Sequence, residues 1–237
     1  MSCINLDVTD PLHTLSFLRY KALFIHSCNL YDNLPTNEVA RRNGTFYEVQ
    51  TRAYIPSEDV LSICGGHHLE AASLGPTIQR FLRIGPEYFD DVVAGVQFWA
   101  DVWNAVRLEE RYVALEDPTS YRIAPNLRAV DLEELLAGFP GDIRIHMSTA
   151  ALQSFANTLP LLHPQGIFQV QDLFVRELEQ YRGTFRGPGK MDGSIVNWLN
   201  GPLFGQIAGQ LGYTVHLEPF RYRERSNTVV LTTSQKE

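Results

Sequence analysis

The sequence predicts an α/β protein whose sheet is mostly parallel, ends in an antiparallel hairpin and carries a helical insertion. Two short apolar runs separated by a helix begin the chain. A stretch with helical spacing of apolar residues comes next, and the chain closes with helix, strand, helix and two further strands. This order of elements is typical of a doubly wound sheet with an antiparallel edge.

The N-terminal part supplies two predicted strands. Cys3 to Val8 reads as a short strand, and Pro11 is well placed in the first turn of a helix that runs to about Tyr20. Ala22 to His26 is a nearly continuous apolar run, which is typical of a strand buried on both faces of a parallel sheet. The run ends in a loop rich in hydrogen-bonding side chains, Ser27 to Pro35.

The middle of the chain changes from strand to helix patterns. Asn43-Gly44 is a turn signal, and the alternation from Thr45 to Ile55 predicts a strand. From Glu87 to Glu116 the apolar residues recur at intervals of three and four, which predicts a helix behind Pro86. We therefore expect a helical insertion over residues 56–140.

The C-terminal part returns to alternating helices and strands. Ser148 can cap a helix through about Leu162, and Ile167 to Val175 reads as a strand. Asn200-Gly201-Pro202 begins another helix. Tyr213 to Phe220 and Asn227 to Thr233 predict a terminal hairpin. The predicted division is thus a partial core at 1–55, the insertion at 56–140 and the rest of the core at 141–237.

Composition excludes several classes of protein. The chain has 237 residues, 44% of them hydrophobic, and a formal net charge of −7, which argues against broad attachment to nucleic acid or anionic membranes. No apolar run reaches the ~20 residues that span a bilayer, so we expect a cytoplasmic protein with no membrane partner. Its oligomeric state stays open. Cys3, Cys28 and Cys64 are odd in number and far apart, which favours reduced thiols.

Polar residues come directly after three of the predicted strands. They lie at Asp7 to Asp10, Asn29 to Pro35 and Gln171 to Phe174. Because ligands bind at the carboxyl ends of strands in open α/β sheets, these loops predict a site at one edge of the sheet.

The segment Phe24 to Glu48, FIHSCNLYDNLPTNEVARRNGTFYE, carries a resemblance. Its Asp32-Asn33-Leu34-Pro35 and its basic hairpin, Arg41 to Gly44, resemble the passage after the fourth strand of class I S-adenosylmethionine-dependent methyltransferases, most closely the MidA type. Where that family has an Asn-Glu pair, this chain has Cys28-Asn29. An amide therefore replaces the family's acidic residue.

Further segments resemble the same family in the same order. Ile4 to Leu12 is similar to its third strand, and Leu161 to Val175 to its fifth strand. Arg182-Gly183-Thr184 and Asp192 to Asn197 resemble a later stretch, and the terminal hairpin resembles its reversed sixth and seventh strands. The family's glycine-rich cofactor loop has no counterpart, because neither Gly65-Gly66 nor Gly187-Pro188-Gly189 lies between a strand and a helix. The resemblance thus implies a core that is incomplete at its N-terminus.

The resemblance implies methyl transfer from S-adenosylmethionine to an acceptor that the residues do not define, with a protein acceptor in family members. Asp7, with Asp10 as the alternative, would hold the adenine, and Asn29 would also face the cofactor. Asn29, Tyr31 and Asp32 would line the acceptor side as catalytic residues. The alternative is a non-catalytic protein of the same fold, whose helical insertion binds an assembly partner.

A metal site is the remaining interpretation of a local cluster. Cys64, His67, His68 and Glu70 carry groups that ligate zinc, but adjacent histidines point in different directions and the spacing matches no standard site. The sequence therefore predicts no metal centre. A serine hydrolase is also disfavoured, because no Gly-x-Ser-x-Gly motif occurs.

Overall fold

The computed structural model describes residues 3–183, 189–191, 194–223 and 228–236. The chain is a mixed α/β protein that divides into two units. The first unit comprises Met1–Val49 and Tyr112–Glu237, and the second comprises Gln50–Arg111.

The described elements alternate along the chain. The helices are α1 (Pro11–Thr14), α2 (Ser57–Gly66), α3 (Leu74–Ile84), α4 (Val92–Ala105), α5 (Leu132–Leu135), α6 (Thr149–Thr158), α7 (Gln180–Gly183) and α8 (Gly201–Gln210). The strands are β1 (Ala22–Cys28), β2 (Glu38–Arg42), β3 (Thr45–Tyr54), β4 (Arg107–Ala114), β5 (Ile143–His146), β6 (Leu162–Val175), β7 (Gly189–Met191), β8 (Ser194–Val196), β9 (Leu199–Asn200), β10 (Tyr213–Pro219) and β11 (Thr228–Gln235). Short 3₁₀ turns connect several of them.

The main sheet of the first unit has the order β1-β6-β11-β10. β1 and the short β9 run parallel to β6, whereas β11 is antiparallel to both β6 and β10. β1, β6, β9 and β10 therefore run in one direction and β11 runs against them, so the main sheet is mixed, with the expected parallel part and the expected antiparallel hairpin. The terminal hairpin is confirmed, but its last strand lies inside the sheet, because β11 pairs with β6 along six residues, Thr228 to Thr233.

A second sheet has the order β4-β3-β2-β5. β2 pairs antiparallel with β3 and with β5. Asn43 and Gly44 both have positive φ, 49° and 79°, which is the geometry of a two-residue hairpin turn. The predicted turn and the predicted strand after it are both confirmed.

Between Cys3 and Asp10, the described part of the N-terminal segment, no residue is in a strand. Asp7 accepts hydrogen bonds from the backbone N–H and the hydroxyl of Thr9, both at 2.8 Å, and these bonds turn the chain. The carbonyl groups of Val8 and Thr9 accept hydrogen bonds from α6 side chains, Ser154 Oγ and Asn157 Nδ2. The predicted strand from Cys3 to Val8 is wrong, because these local and side-chain bonds replace strand pairing.

The helix expected behind Pro86 is shorter than the stretch from Glu87 to Glu116 over which the apolar pattern predicts it. α4 begins after Asp91, whose carboxylate accepts from the N–H of Val93, and it ends at Ala105. The chain then enters β4, so a strand occupies part of the stretch expected to be helical. Pairing in the second sheet explains this difference, since periodicity reports one face of a segment and not its hydrogen-bond partners.

The core of the first unit lies between the main sheet and two helices. The rings of Phe155 from α6 and Phe204 from α8 pack edge to face, with centroids 5.1 Å apart. Phe168 and Phe174 of β6 contact these two rings. Aromatic packing of this kind adds to the free energy gained from burial, and it fixes α6 and α8 against the sheet that carries the candidate site.

Candidate functional site

The loop after β1 is held by one carboxylate on β6. Asp172 Oδ2 accepts hydrogen bonds from three consecutive backbone N–H groups, those of Leu30, Tyr31 and Asp32, at 3.1, 2.8 and 3.3 Å. Asp172 is 3% exposed. Because β1 and β6 are parallel neighbours, their carboxyl ends meet, and this carboxylate fixes the loop that the sequence predicts to be functional.

Asp32 lies beside Asp172 and is 2% exposed. Burial raises the pKa of Asp32 to about 7, and the negative charge of Asp172 adds to the increase. Asn33 Nδ2 donates a hydrogen bond to Asp32 Oδ1 at 2.6 Å, which partly opposes it. A carboxyl group with this pKa can gain or lose a proton near neutral pH.

Tyr31 is a core residue with a bonded hydroxyl. Its ring lies near those of Phe168 and Phe204. Its hydroxyl lies 3.0 Å from Ser154 Oγ and donates to it, because the single Ser154 proton is donated to the carbonyl of Val8. Burial raises the pKa of Tyr31 to about 12, so the phenol stays protonated at physiological pH. This geometry suits a positioning residue better than a group that reacts with an acceptor.

Asn29 is the exposed member of the loop. It adopts a left-handed conformation with φ of 51°, and its backbone N–H donates to the carbonyl of Gln171 at 3.0 Å. Within the described residues its side-chain amide makes no hydrogen bond. Asn29 therefore presents a donor and an acceptor to solvent at the end of the strand.

Asp7 and Asp10 are exposed residues of the N-terminal segment. Hydrogen bonds from Thr9 lower the pKa of Asp7, so its carboxylate is ionised at neutral pH. Asp10 caps α1 by accepting a weak hydrogen bond from the N–H of His13 at 3.4 Å. Both carboxylates thus stabilise local turns in addition to any ligand they hold.

A cavity of about 590 Å³ joins the two predicted parts of the site. It is lined mainly by apolar residues from the N-terminal segment, β1 and α6, and its polar lining residues include Ser27 and Asn29. Tyr31 lines the cavity, and so do Leu6, Val8 and Pro11, which are the chain neighbours of Asp7 and Asp10. The predicted site residues Asp7, Asp10 and Asp32 do not line it. The Ser27 hydroxyl is buried and has no hydrogen-bond partner among the described residues.

Other sequence candidates do not form sites in the part of the chain that is described. His67 Nε2 lies 2.9 Å from Asp101 Oδ2, Cys64 belongs to the apolar core of the second unit, and no three His, Cys, Asp or Glu side chains there converge on a metal position. The quoted motif positions outside the described residues are Thr184, Gly187, Pro188, Asp192, Gly193 and Asn227.

Two residues of the site were not predicted as site residues from the sequence. Ser154 bridges the N-terminal segment and Tyr31, and Ser27 contributes its buried hydroxyl to the cavity. A serine in a helix and a serine in an apolar strand carry no local signal of such roles. The sequence analysis places Asp172 at the end of the predicted strand over Ile167 to Val175. Nothing in the sequence indicates that its carboxylate binds the backbone of the loop after β1.

Comparisons of the chain with protein-family models, with curated proteins and with solved structures find no match. Among the described residues, none of the helices has the length and apolar character needed to cross a membrane. The basis for assigning a function is therefore the geometry of the site.

Proposed function

We propose that the chain belongs to a class I methyltransferase of MidA-like type, which transfers a methyl group from S-adenosylmethionine to an acceptor still to be identified. The observation that supports this proposal is the order of the main sheet. The resemblance implies a fourth, a fifth, a seventh and a sixth strand side by side in that order. The main sheet has β1, β6, β11 and β10 in the corresponding positions, and β11 is the reversed strand.

The cavity fits the nucleoside half of this cofactor. Its volume of about 590 Å³ lies within the ~300–1,000 Å³ of small-molecule sites. Its apolar lining suits an adenine ring, and Ser27 and Asn29 offer hydrogen-bonding groups. No Asp, Glu, Lys or Arg among the described residues lines it, so the charged methionine half does not fit this cavity. We therefore assign no step of the methyl transfer to it.

Each predicted residue has a defined part in this proposal. Asn29 contacts the ligand through its free amide, while Tyr31 and Asp32 position the loop that carries it. Asp7 does not line the cavity, and its Oδ1 binds Thr9 and so holds the turn that carries the lining residues Leu6 and Val8. Asp10 serves as a cap of α1. In this arrangement the chain binds and orients a nucleoside.

A non-catalytic binding protein of the same fold is the second candidate. β1 ends the main sheet among the described strands, and its Leu23 and Phe24 side chains are 64% and 59% exposed. An apolar strand that leaves its outer edge unpaired is a template for pairing with another polypeptide. This alternative predicts that the chain binds no nucleoside cofactor.

Binding of S-adenosylhomocysteine to the whole chain, measured by isothermal titration calorimetry, tests the proposal. We expect micromolar affinity that falls at least tenfold in Asn29→Ala and in Asp7→Ala. Asn43→Ala is the matched control, since Asn43 has nearly the same φ, 49°, and lies in an exposed turn. Absence of binding to the folded chain, or an equal loss in Asn43→Ala, contradicts the proposal and favours the non-catalytic protein.

A further inference from the structure

A second cavity, of about 780 Å³, lies beside the hairpin of β2 and β3. It is lined by four arginines from three elements of the first unit. They are Arg41 and Arg42 of β2, Arg144 of β5 and Arg182 of α7. Asp142 is the carboxylate among the lining residues. In a chain whose formal net charge is −7, this is a local concentration of positive charge.

Arg41 is held by neutral acceptors. Its Nε and Nη2 donate to the carbonyl of Gly141 at 3.1 and 2.9 Å, and Nη1 donates to the carbonyl of Leu136 at 3.1 Å. A guanidinium has five N–H groups, so these three bonds leave two. The side chain is thus fixed in place while its charge is not paired with any carboxylate of the described residues.

Arg42 is also without a carboxylate partner in the described part of the chain. Its Nη2 donates to the hydroxyl of Tyr112, and the guanidinium carbon lies 3.7 Å from the centroid of that ring. Stacking on an aromatic face orients a guanidinium and keeps its charge. Arg42 is an exposed residue, so its remaining N–H groups are accessible to a ligand.

The other two arginines are held by acidic residues. Arg144 forms an ion pair with Glu38, and Arg182 Nη1 lies 3.6 Å from Glu179 Oε1. Their charges are partly balanced, so the excess positive charge of the cavity comes from Arg41 and Arg42 and is reduced by the carboxylate of Asp142. Because successive side chains of a strand point to opposite faces, Arg41 and Arg42 supply pre-oriented N–H groups to different parts of the cavity lining.

We propose that this cavity binds a small molecule that carries phosphate groups. The planar guanidinium donates pairs of parallel N–H bonds that match phosphate oxygens, which a lysine cannot do. Because Arg41 and Arg42 are already anchored, binding loses little side-chain entropy. The site is separate from the cavity beside Asn29, and it stands whether or not the chain is a methyltransferase.

Titration of the whole chain with inorganic pyrophosphate, by calorimetry at low and at high salt, tests this proposal. We expect binding that weakens with salt and falls at least tenfold in Arg42→Gln. Arg42→Lys keeps the positive charge but loses the paired N–H groups of the guanidinium, so it should weaken binding by less than Arg42→Gln does. It also serves as the second variant if Arg42→Gln does not fold, as judged by its circular dichroism spectrum.

Arg122→Gln is the control, since Arg122 is exposed in the same unit and the same charge is removed. Its affinity for pyrophosphate should stay within twofold of the unchanged chain. No binding of pyrophosphate, or an equal loss in Arg122→Gln, overturns the proposal. Tighter binding of a poly-glutamate peptide than of pyrophosphate also overturns it, because the site would then belong to an acidic polypeptide.

Discussion

Replacing Asp32 by Asn should stabilise the protein, and the gain should grow with pH. The structure raises the pKa of this carboxyl from 3.8 to about 7 by burial and by the charge of Asp172. A carboxyl group whose pKa is raised on folding does not lower the free energy of unfolding at pH values below its unfolded pKa. Its cost increases as the pH rises through the interval between the two values. Asn keeps an oxygen that can accept the bond from Asn33.

The size of the effect can be calculated from the two pKa values. Linkage gives a cost of about 2 kcal/mol at pH 5 and about 4 kcal/mol at pH 8 for an aspartate whose pKa rises from 3.8 to about 7. The difference in unfolding free energy between Asp32→Asn and the unchanged chain should therefore widen by about 2–3 kcal/mol over this range.

Urea unfolding at pH 5 and pH 8, monitored by circular dichroism, measures this difference. Asp90→Asn is the control for the general loss of one negative charge, because Asp90 is exposed. A stability difference for Asp32→Asn that is the same at both pH values would refute the reasoning. The carboxyl would then be solvated or paired in a way that burial beside Asp172 does not describe.

Two other changes have defined outcomes. Gly201→Ala should destabilise the protein by about 1–3 kcal/mol in urea unfolding, because the new Cβ would lie 2.6 Å from the carbonyl oxygen of Val175. Gly205→Ala in the same helix meets nothing within 4 Å and should stabilise it by about 0.5–1 kcal/mol; equal effects would contradict the packing argument. Glu38→Gln should cost about 3–5 kcal/mol at pH 7. Burial favours a higher pKa for Glu38, but the hydrogen bonds from His146 and Arg144 and the charge of Arg144 outweigh burial and lower the pKa below 4.5. The unchanged chain should therefore keep this contribution above about pH 4.5 and lose it progressively as the pH falls further. A Glu38→Gln deficit that does not shrink between pH 5 and pH 3 would count against this reasoning.

Short-range chemistry made several elements predictable. Asn43-Gly44 favours a two-residue turn whatever surrounds it, and the Asn200 side chain caps α8 through the N–H of Leu203. Asp131 caps α5 by accepting hydrogen bonds from the backbone N–H groups of Glu133 and Glu134. These features involve neighbours in the chain, so they are predictable without the fold, as are the α/β class and the terminal hairpin.

Contacts between distant residues decided the rest. Cys3 to Val8 has the composition of a strand, but α6 side chains bind its last carbonyl and the Asp7 turn ends it. The place of β11 between β6 and β10 depends on pairing that a hydrophobic pattern does not encode. The loop residues Asn29 to Asp32 were predicted to be functional, yet only packing shows which side chain is free and which is buried.

The charged groups show the same division most clearly. Arg41 and Arg42 are visible as a basic pair, but Arg144 and Arg182 join them only because β5 and α7 fold beside the hairpin. The raised pKa of Asp32 likewise depends on Asp172, 140 residues away. Local hydrogen bonds and hydrophobic periodicity depend on residues that are close together in the chain. Burial and the electric field at a side chain are sums over the whole folded unit, and tertiary structure alone supplies them.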